Sequence, residues 1–266
     1  MILGTKFLVG TSGYSFRDWV GSFYPPGTQA KDMFAFYLQH FRTVEVNYTF
    51  YRMPSAATLE AMARQTSPEF TFWVKAHKSI THEHELKAAK EFWEALGPLQ
   101  ARGQLAGVLL QYPQSWHRTV DNRRMLQKTL EALAGVPMAV EFRHGSWDHP
   151  ATFEGLHERD VTLVVPDVPD MESLFRPRAR LTSHIGYLRL HSRQGASWYA
   201  GGAERYDYDY SDEELRGLCD TWRLLADQAE RIFVFFNNCH HGQAAKNARR
   251  FMEIVCGGPA TSPHPL

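Results

Sequence analysis

The sequence predicts a single-domain α/β protein built as a TIM (β/α)8 barrel, and three observations predict it. Eight short runs rich in β-branched and aromatic residues are spread along the 266 residues, with helical patterns in most of the gaps between them. The length suits the fold, which typically takes about 250 residues. No Gly-x-Gly-x-x-Gly fingerprint follows any run, although the competing open, doubly wound sheet is commonly marked by one. No internal linker or sharp repeat divides the chain. The barrel is expected over residues 1–258, with 259–266 as a frayed tail.

The first run, FLVGTSG (7–13), precedes QAKDMFAFYLQHF (29–41), where Met33, Phe34, Tyr37, Leu38 and Phe41 form an apolar stripe at helical spacing. The second, TVEVNYTFY (43–51), leads past Pro54 to SAATLEAMARQT, with Ser55 placed to cap a helix. The third, TFWVKAH (71–77), is followed by the helical ELKAAKEFWEALGPLQ. The fourth, LAGVLLQYP (105–113), is followed by VDNRRMLQKTLEALAG, which Gly135 closes. The fifth, MAVEFRH (138–144), leads into the short ATFEGLHER. The sixth, VTLVVPD (161–167), carries Pro166, which removes a ladder donor near its end, and the connection VPDMESLFRPRARLTS is only weakly helical. The seventh, IGYLRLHS (185–192), precedes SDEELRGLCDTWRLLADQAE, in which Ser211 and Glu214 stand at capping-box spacing. The eighth, RIFVFFNN (231–238), precedes the closing helix GQAAKNARRFMEIVCGG.

Charge and composition narrow the function. Lys+Arg and Asp+Glu number 29 each, so no global field draws the chain to nucleic acid or to an anionic membrane. Cys219, Cys239 and Cys256 form neither a C-x-x-C metal spacing nor an even disulfide set. MILGTKFLVG is too quickly interrupted for a signal peptide, and no apolar run reaches the roughly 20 residues of a spanning helix. A cytoplasmic protein is expected.

Polar residues gather at the ends of the runs: Ser12, Glu45 with Asn47, Lys75 with His77, Gln111, Glu141 with Arg143, Asp167, Arg189 with His191, and Asn237 with Asn238. Side chains two residues apart on a strand share a face. The intervening Val44, Val46, Val140, Phe142, Leu188 and Leu190 are apolar and suit the helix layer. The polar set is therefore expected to point into the C-terminal mouth, where barrel enzymes carry their sites. A purely structural ion-pair network is the competing explanation.

Lys75, Arg143 and Arg189 come from alternate runs and can bind phosphate or carboxylate. With Ser12, Tyr14, Asn47, Gln111, Asn237 and Asn238 they form the expected ligand-binding set. Glu45, Glu141, Asp167 and His191 are the expected proton-transfer groups. Gly201-Gly202 and Gly242, after the last two runs, stand where barrels often hold phosphate. Aromatic residues crowd the loops, from Tyr14, Phe16 and Trp19 to Trp116, Trp147 and Trp198, and most are expected to be loop anchors. The leading expectation is an enzyme or ligand-binding protein for a small phosphorylated or sugar-containing anion. One alternative is a metal-dependent phosphodiesterase or endonuclease using the same acidic residues, with RPRAR (176–180) on a nucleic-acid backbone. A second is a non-catalytic nucleic-acid or protein adaptor. His82 and His84 make no zinc pattern, and no metal ligand is assigned. The cofactor and the oligomeric state are left open.

Seven motifs carry a family resemblance: GTSGYSFRDWVGSFYP, HFRTVEVNYTFYRMP, FWVKAHKSITHE, LLQYP, AVEFRHGSW, YLRLH and FFNNCHHGQAAKNA. They run in order from residue 10 to about 248, and together the sequence resembles the YecE-like family of uncharacterised TIM-barrel proteins. The resemblance implies the barrel and little about activity. Tyr48, Ser192 and Cys239-His240 depart from the residues usual for the family at those places.

Overall fold

A computed structural model describes residues 6–257 apart from 197, 200 and 201. The expected frayed tail (259–266) and Gly201 lie outside the described residues. Eight parallel strands form one sheet: β1 (Phe7–Thr11), β2 (Thr43–Val46), β3 (Thr71–Lys75), β4 (Leu105–Gln111), β5 (Met138–Glu141), β6 (Thr162–Asp167), β7 (Ile185–Leu190) and β8 (Arg231–Phe236). Their order is β1-β8-β7-β6-β5-β4-β3-β2. β1 and β2 meet at the top of the remaining seam, where Ser12 bridges Glu45 and the Gly13 N–H donates to the Glu45 carbonyl at 2.8 Å. Lower on this seam, a Cβ on Gly10 would sit 2.4 Å from the Thr43 carbonyl oxygen, so only glycine lets the two strands approach. The sheet thus comes round on itself as a nearly closed barrel.

The helices are α1 (Met33–Tyr37), α2 (Ala56–Ala63), α3 (Lys78–Thr81), α4 (Leu86–Ala95), α5 (Gly97–Ala101), α6 (Val120–Ala132), α7 (Pro150–His157), α8 (Asp212–Arg223) and α9 (Gln243–Val255). Ser55 caps α2 through Thr58 N–H, and Ser211 with Glu214 forms the expected capping box of α8. The stripe over 29–41 shortens to the five residues of α1. The pattern over 85–100 divides at Leu96 into α4 and α5, with Pro98 in the first turn of α5. The β6–β7 connection carries no helix at all.

Inside the barrel, Trp73 stands edge-on to Tyr187 and Phe233, with centroids 4.8 and 5.5 Å away. Leu109, Ala139, Val164, Ile185 and Phe235 complete this inner core. A Cβ on Gly107 would lie 2.5 Å from the Trp73 ring, so β4 uses glycine to admit the indole. The outer core holds Val44, Val46, Val140, Phe142, Leu188 and Leu190, as the alternation required. Glu45, Lys75, Gln111, Glu141, Asp167 and Arg189 lie within their strands, and Asn47, Arg143, His191 and Asn237 lie just past the strand ends. β2 ends at Val46, and Tyr48–Phe50 form a 3-10 turn where extended chain was expected. No helix among the described residues is long and apolar enough to cross a membrane.

Candidate functional site

The strand-end residues converge on one buried network. Arg189, on β7, lies on the barrel axis and is 1 % exposed; Glu45 (β2) and Glu141 (β5) are fully buried beside it. Arg189 donates from Nε and Nη2 to Glu45 at 3.0 and 2.7 Å and from Nη1 to Glu141 at 2.8 Å. Glu45 also accepts from Tyr187 Oη at 2.6 Å and from Asn47 Nδ2 at 2.8 Å. Arg143 brings Nε to 2.6 Å from Glu141 Oε1. Two buried carboxylates therefore face two arginines, the pairing that buried charge demands.

His191 completes the chain. Asn237 Nδ2 lies 2.9 Å from His191 Nδ1, and His191 Nε2 lies 3.2 Å from Glu141 Oε1. An amide donor on Nδ1 and a carboxylate at Nε2 assign the neutral ring with its proton on Nε2. Burial, and then the Arg143 charge, push the His191 pKa down to about 3. Burial alone would raise the Glu45 carboxyl; the Arg189 guanidinium and the Arg189 and Tyr187 hydrogen bonds more than offset it and hold Glu45 below its ordinary value. The same contest at Glu141, with Arg143 and then Arg189 opposing burial, leaves that carboxyl well below the usual range.

Above the network lies a cavity of about 190 Å3 lined by Ser12, Phe16, Asn47, Tyr51, Lys75, Gln111, Arg143, Arg189, Tyr206, Asn237 and Cys239. Drug-sized ligands occupy roughly 300–1,000 Å3, so this space suits a smaller molecule. Lys75 donates from Nζ to Gln111 Oε1 at 2.9 Å and sits 4.3 Å above the Phe50 ring. Among the described residues no carboxylate pairs with its Nζ, and the Nη atoms of Arg143 make no hydrogen bond. Burial, then the Arg189 charge, lower the Lys75 pKa to about 7, with Glu141 and Glu45 pulling the other way. A groove of about 300 Å3, lined by Tyr14, Val46 and Tyr48 among others, adjoins the cavity and shares Phe16, Asn47 and Tyr51 with it.

Of the thirteen expected site residues, Ser12, Asn47, Lys75, Gln111, Arg143, Arg189 and Asn237 line this cavity, while Glu45, Glu141 and His191 support it from beneath. Three stand apart. Asp167 turns to Arg193, which donates from Nε to its Oδ2 at 2.9 Å, and to Tyr210 Oη at 2.7 Å. It thereby lines a separate recess. Asn238 donates to Tyr208 O and Asn247 Oδ1, on the α9 side of its strand, because adjacent residues point to opposite faces. Tyr14 packs on Phe34, centroids 4.6 Å apart, and reaches only the adjoining groove. Gly242 does not line the cavity; a Cβ there would lie 2.4 Å from Ser22 Oγ, so the β1–α1 loop covers this turn.

Most loop aromatics are anchors. Tyr112 stacks on Trp116 at 3.7 Å, and Trp116 on Trp147 at 4.9 Å. The carboxylates and His191 do not form a metal cage: arginines occupy Glu45 and Glu141, Asp167 is elsewhere, and no group of three or more His, Cys, Asp or Glu among the described residues is arranged to hold an ion. Five contributors lie outside the expected set: Tyr187 beside Glu45, and Phe16, Tyr51, Tyr206 and Cys239 on the cavity wall. Tyr187 shares its face with Arg189 two residues on, a parity signal that was available. Tyr51 and Tyr206 reach the cavity from loops, where periodicity says nothing.

A family model described as "Protein of unknown function DUF72" matches residues 8–265. The UPF0759 protein YunF of Bacillus subtilis is 29 % identical over 267 residues, covering 93 % of this chain and 94 % of that protein. The UPF0759 protein YecE of Escherichia coli is 29 % identical over 143 residues, about half of each chain. The crystal structure of a DUF72 family protein from Thermotoga maritima superposes with a TM-score of 0.87 at 38 % identity, covering 94 % of this chain and 98 % of that one. One from Enterococcus faecalis gives 0.83 at 23 % identity over 98 % and 99 %, and shares the fold.

Proposed function

The chain belongs to the DUF72 family, described as of unknown function, and from that premise we propose that its barrel mouth binds and transforms a small anionic molecule. The observation that carries the reading is Lys75. Glu45 and Glu141 are matched by Arg189 and Arg143, and Lys75 stands on the cavity wall as a further cation without a carboxylate. The site is thus neutral when Lys75 is an amine and carries one positive charge when it is an ammonium. The ammonium state favours an anion over a cation. Arg143, with Nε fixed on Glu141, is the side chain best placed to grip a phosphate or carboxylate.

The proton-transfer roles shift with this reading. Glu45 and Glu141 are weak bases while arginines hold them, and His191 stays neutral through the physiological range. These three orient the arginines. Lys75 is the cavity-lining group whose pKa is moved towards neutrality, which suits it to gain and lose a proton during turnover. Thermal unfolding with and without inorganic phosphate tests the binding part. Phosphate is expected to raise the wild-type Tm and to raise that of Arg143→Ala much less. Equal stabilisation of both proteins would defeat the proposal.

A further inference from the structure

We infer that Lys75 is also a nucleophile, whose amine condenses with the carbonyl carbon of a small aldehyde or ketone carrying a phosphate or carboxylate group. The inference rests on the anion-site reading above and deepens it. An amine becomes nucleophilic when three conditions meet: no carboxylate holds its proton, other cations crowd it, and its nitrogen reaches the substrate space. Lys75 meets all three. Its partner is the neutral Gln111 amide at 2.9 Å, which an uncharged amine can keep. Arg143 and Arg189 share the cavity wall with it.

Five charged or titratable groups act on Lys75. Arg189 and Arg143 disfavour its charge, and Glu45 and Glu141 favour it from beneath the cavity. His82 lies on the loop side, edge-on to Phe50 with centroids 4.9 Å apart. Burial and Arg189 prevail, and an appreciable share of the amine is unprotonated at neutral pH. Lysines in such settings act as Schiff-base formers.

The step balances without an oxidant or reductant. The Nζ lone pair adds to the carbonyl carbon, and the carbonyl π pair moves to oxygen. Transfer of one nitrogen proton to that oxygen gives the carbinolamine. The nitrogen then gives up its second proton as the C–O bond breaks, and one water leaves. A carbon–nitrogen double bond remains between substrate and Lys75. The substrate's anionic group, held by Arg143 on the same wall, presents the carbonyl to the amine.

The test is reductive trapping on the full chain. The protein is incubated with dihydroxyacetone phosphate or pyruvate and sodium cyanoborohydride, digested, and mapped by mass spectrometry. The expected result is a reduced adduct on the Lys75 peptide in preference to every other lysine, suppressed by excess inorganic phosphate. In Lys75→Arg the adduct should disappear from that peptide while the fold, read by circular dichroism, persists. Thermal shift with phosphate alone reads the anion site without covalent chemistry. Phosphate stabilisation with labelling of Lys75 no greater than that of exposed lysines overturns the imine and leaves the anion reading standing. Neither stabilisation nor adduct overturns both.

Discussion

Arg189 and Glu45 lie 144 residues apart in the chain and meet on the barrel axis, with Nη2 2.7 Å from Oε1 and Nε 3.0 Å from Oε2. The contact ties β7 to β2 across the barrel interior, and Nη1 extends it to β5 through Glu141. It makes the lower layer of the mouth a rigid floor. A side chain so enclosed serves a ligand chiefly by holding the carboxylates in place, and this separates Arg189 from Arg143.

Arg189→Met should therefore act on stability first. It leaves two buried carboxylates short of their central cation, and breaking one side of a buried pair costs about 3–5 kcal/mol. Urea unfolding at neutral pH reads the change. A loss under about 1 kcal/mol, the scale of a surface pair, would mean that the network is hydrated in solution.

Arg143→Ala should act on binding. Hydrogen bonds to charged groups contribute about 1.5–3 kcal/mol, and about 1.4 kcal/mol is tenfold in affinity. Titration with sulfate should show at least about a tenfold weaker Kd. Unchanged affinity would place the anion on other residues.

How much of this was legible depended on the local rule involved. Alternation in TVEVN, AVEFR and LRLH put Glu45, Arg143, Arg189 and their partners on the inner face, and the helix-facing valines and leucines confirmed the parity. Two residues lie on the other parity. Asn238 follows Asn237 by one residue and so faces α9, and Asp167, at the end of β6, shares its parity with the outer-core Val165 and turns to Arg193 and Tyr210. Pairing was also beyond the sequence. Three cations and four acidic or imidazole groups allow several matchings, and only the barrel's closure shows which cation is left over. Tyr51 and Tyr206 come from irregular loops, whose direction no periodicity encodes.

Asp167→Asn provides a control that follows from this geometry. The substitution weakens charge-assisted bonds from Arg193 and should cost about 1–3 kcal/mol of stability. Sulfate binding should be unchanged, because Asp167 lines a different recess from the cavity. Loss of sulfate binding in a folded Asp167→Asn protein would extend the site beyond the barrel axis.

Acid should unfold the protein through Glu45 and Glu141. Both carboxyls lie below their ordinary 4.5 in the folded state, Glu141 well below it. The unfolded chain then binds protons first as pH falls. Stability from these groups is fully present above about 4.5 and is lost as pH drops through the folded values. Glu45→Gln should be less stable than wild type at neutral pH, with a shallower loss below pH 4.5. Parallel acid-unfolding curves for the two proteins would remove Glu45 from the account.

Lys75 should produce the opposite pH dependence. Its folded pKa of about 7 lies below the ordinary 10.5. Below about 7 both states carry the proton, and the folded protein bears the cost of a charge beside Arg189. Between about 7 and 10.5 the unfolded chain holds a proton that the folded one has released, so stability rises with pH across that window. Lys75→Met removes the group, and the Tm difference between wild type and this variant should grow in favour of wild type from pH 6 to pH 9 around that folded value. Anion binding should move the other way, since the amine loses its charge as pH rises. Sulfate is the probe for this series because, unlike phosphate, it keeps a constant charge over the range. Its stabilisation of wild type should fall as pH passes about 7, while that of Lys75→Met should stay flat. Sulfate stabilisation independent of pH in both proteins would mean that Lys75 holds its proton throughout, which would also take away the free amine on which imine formation depends.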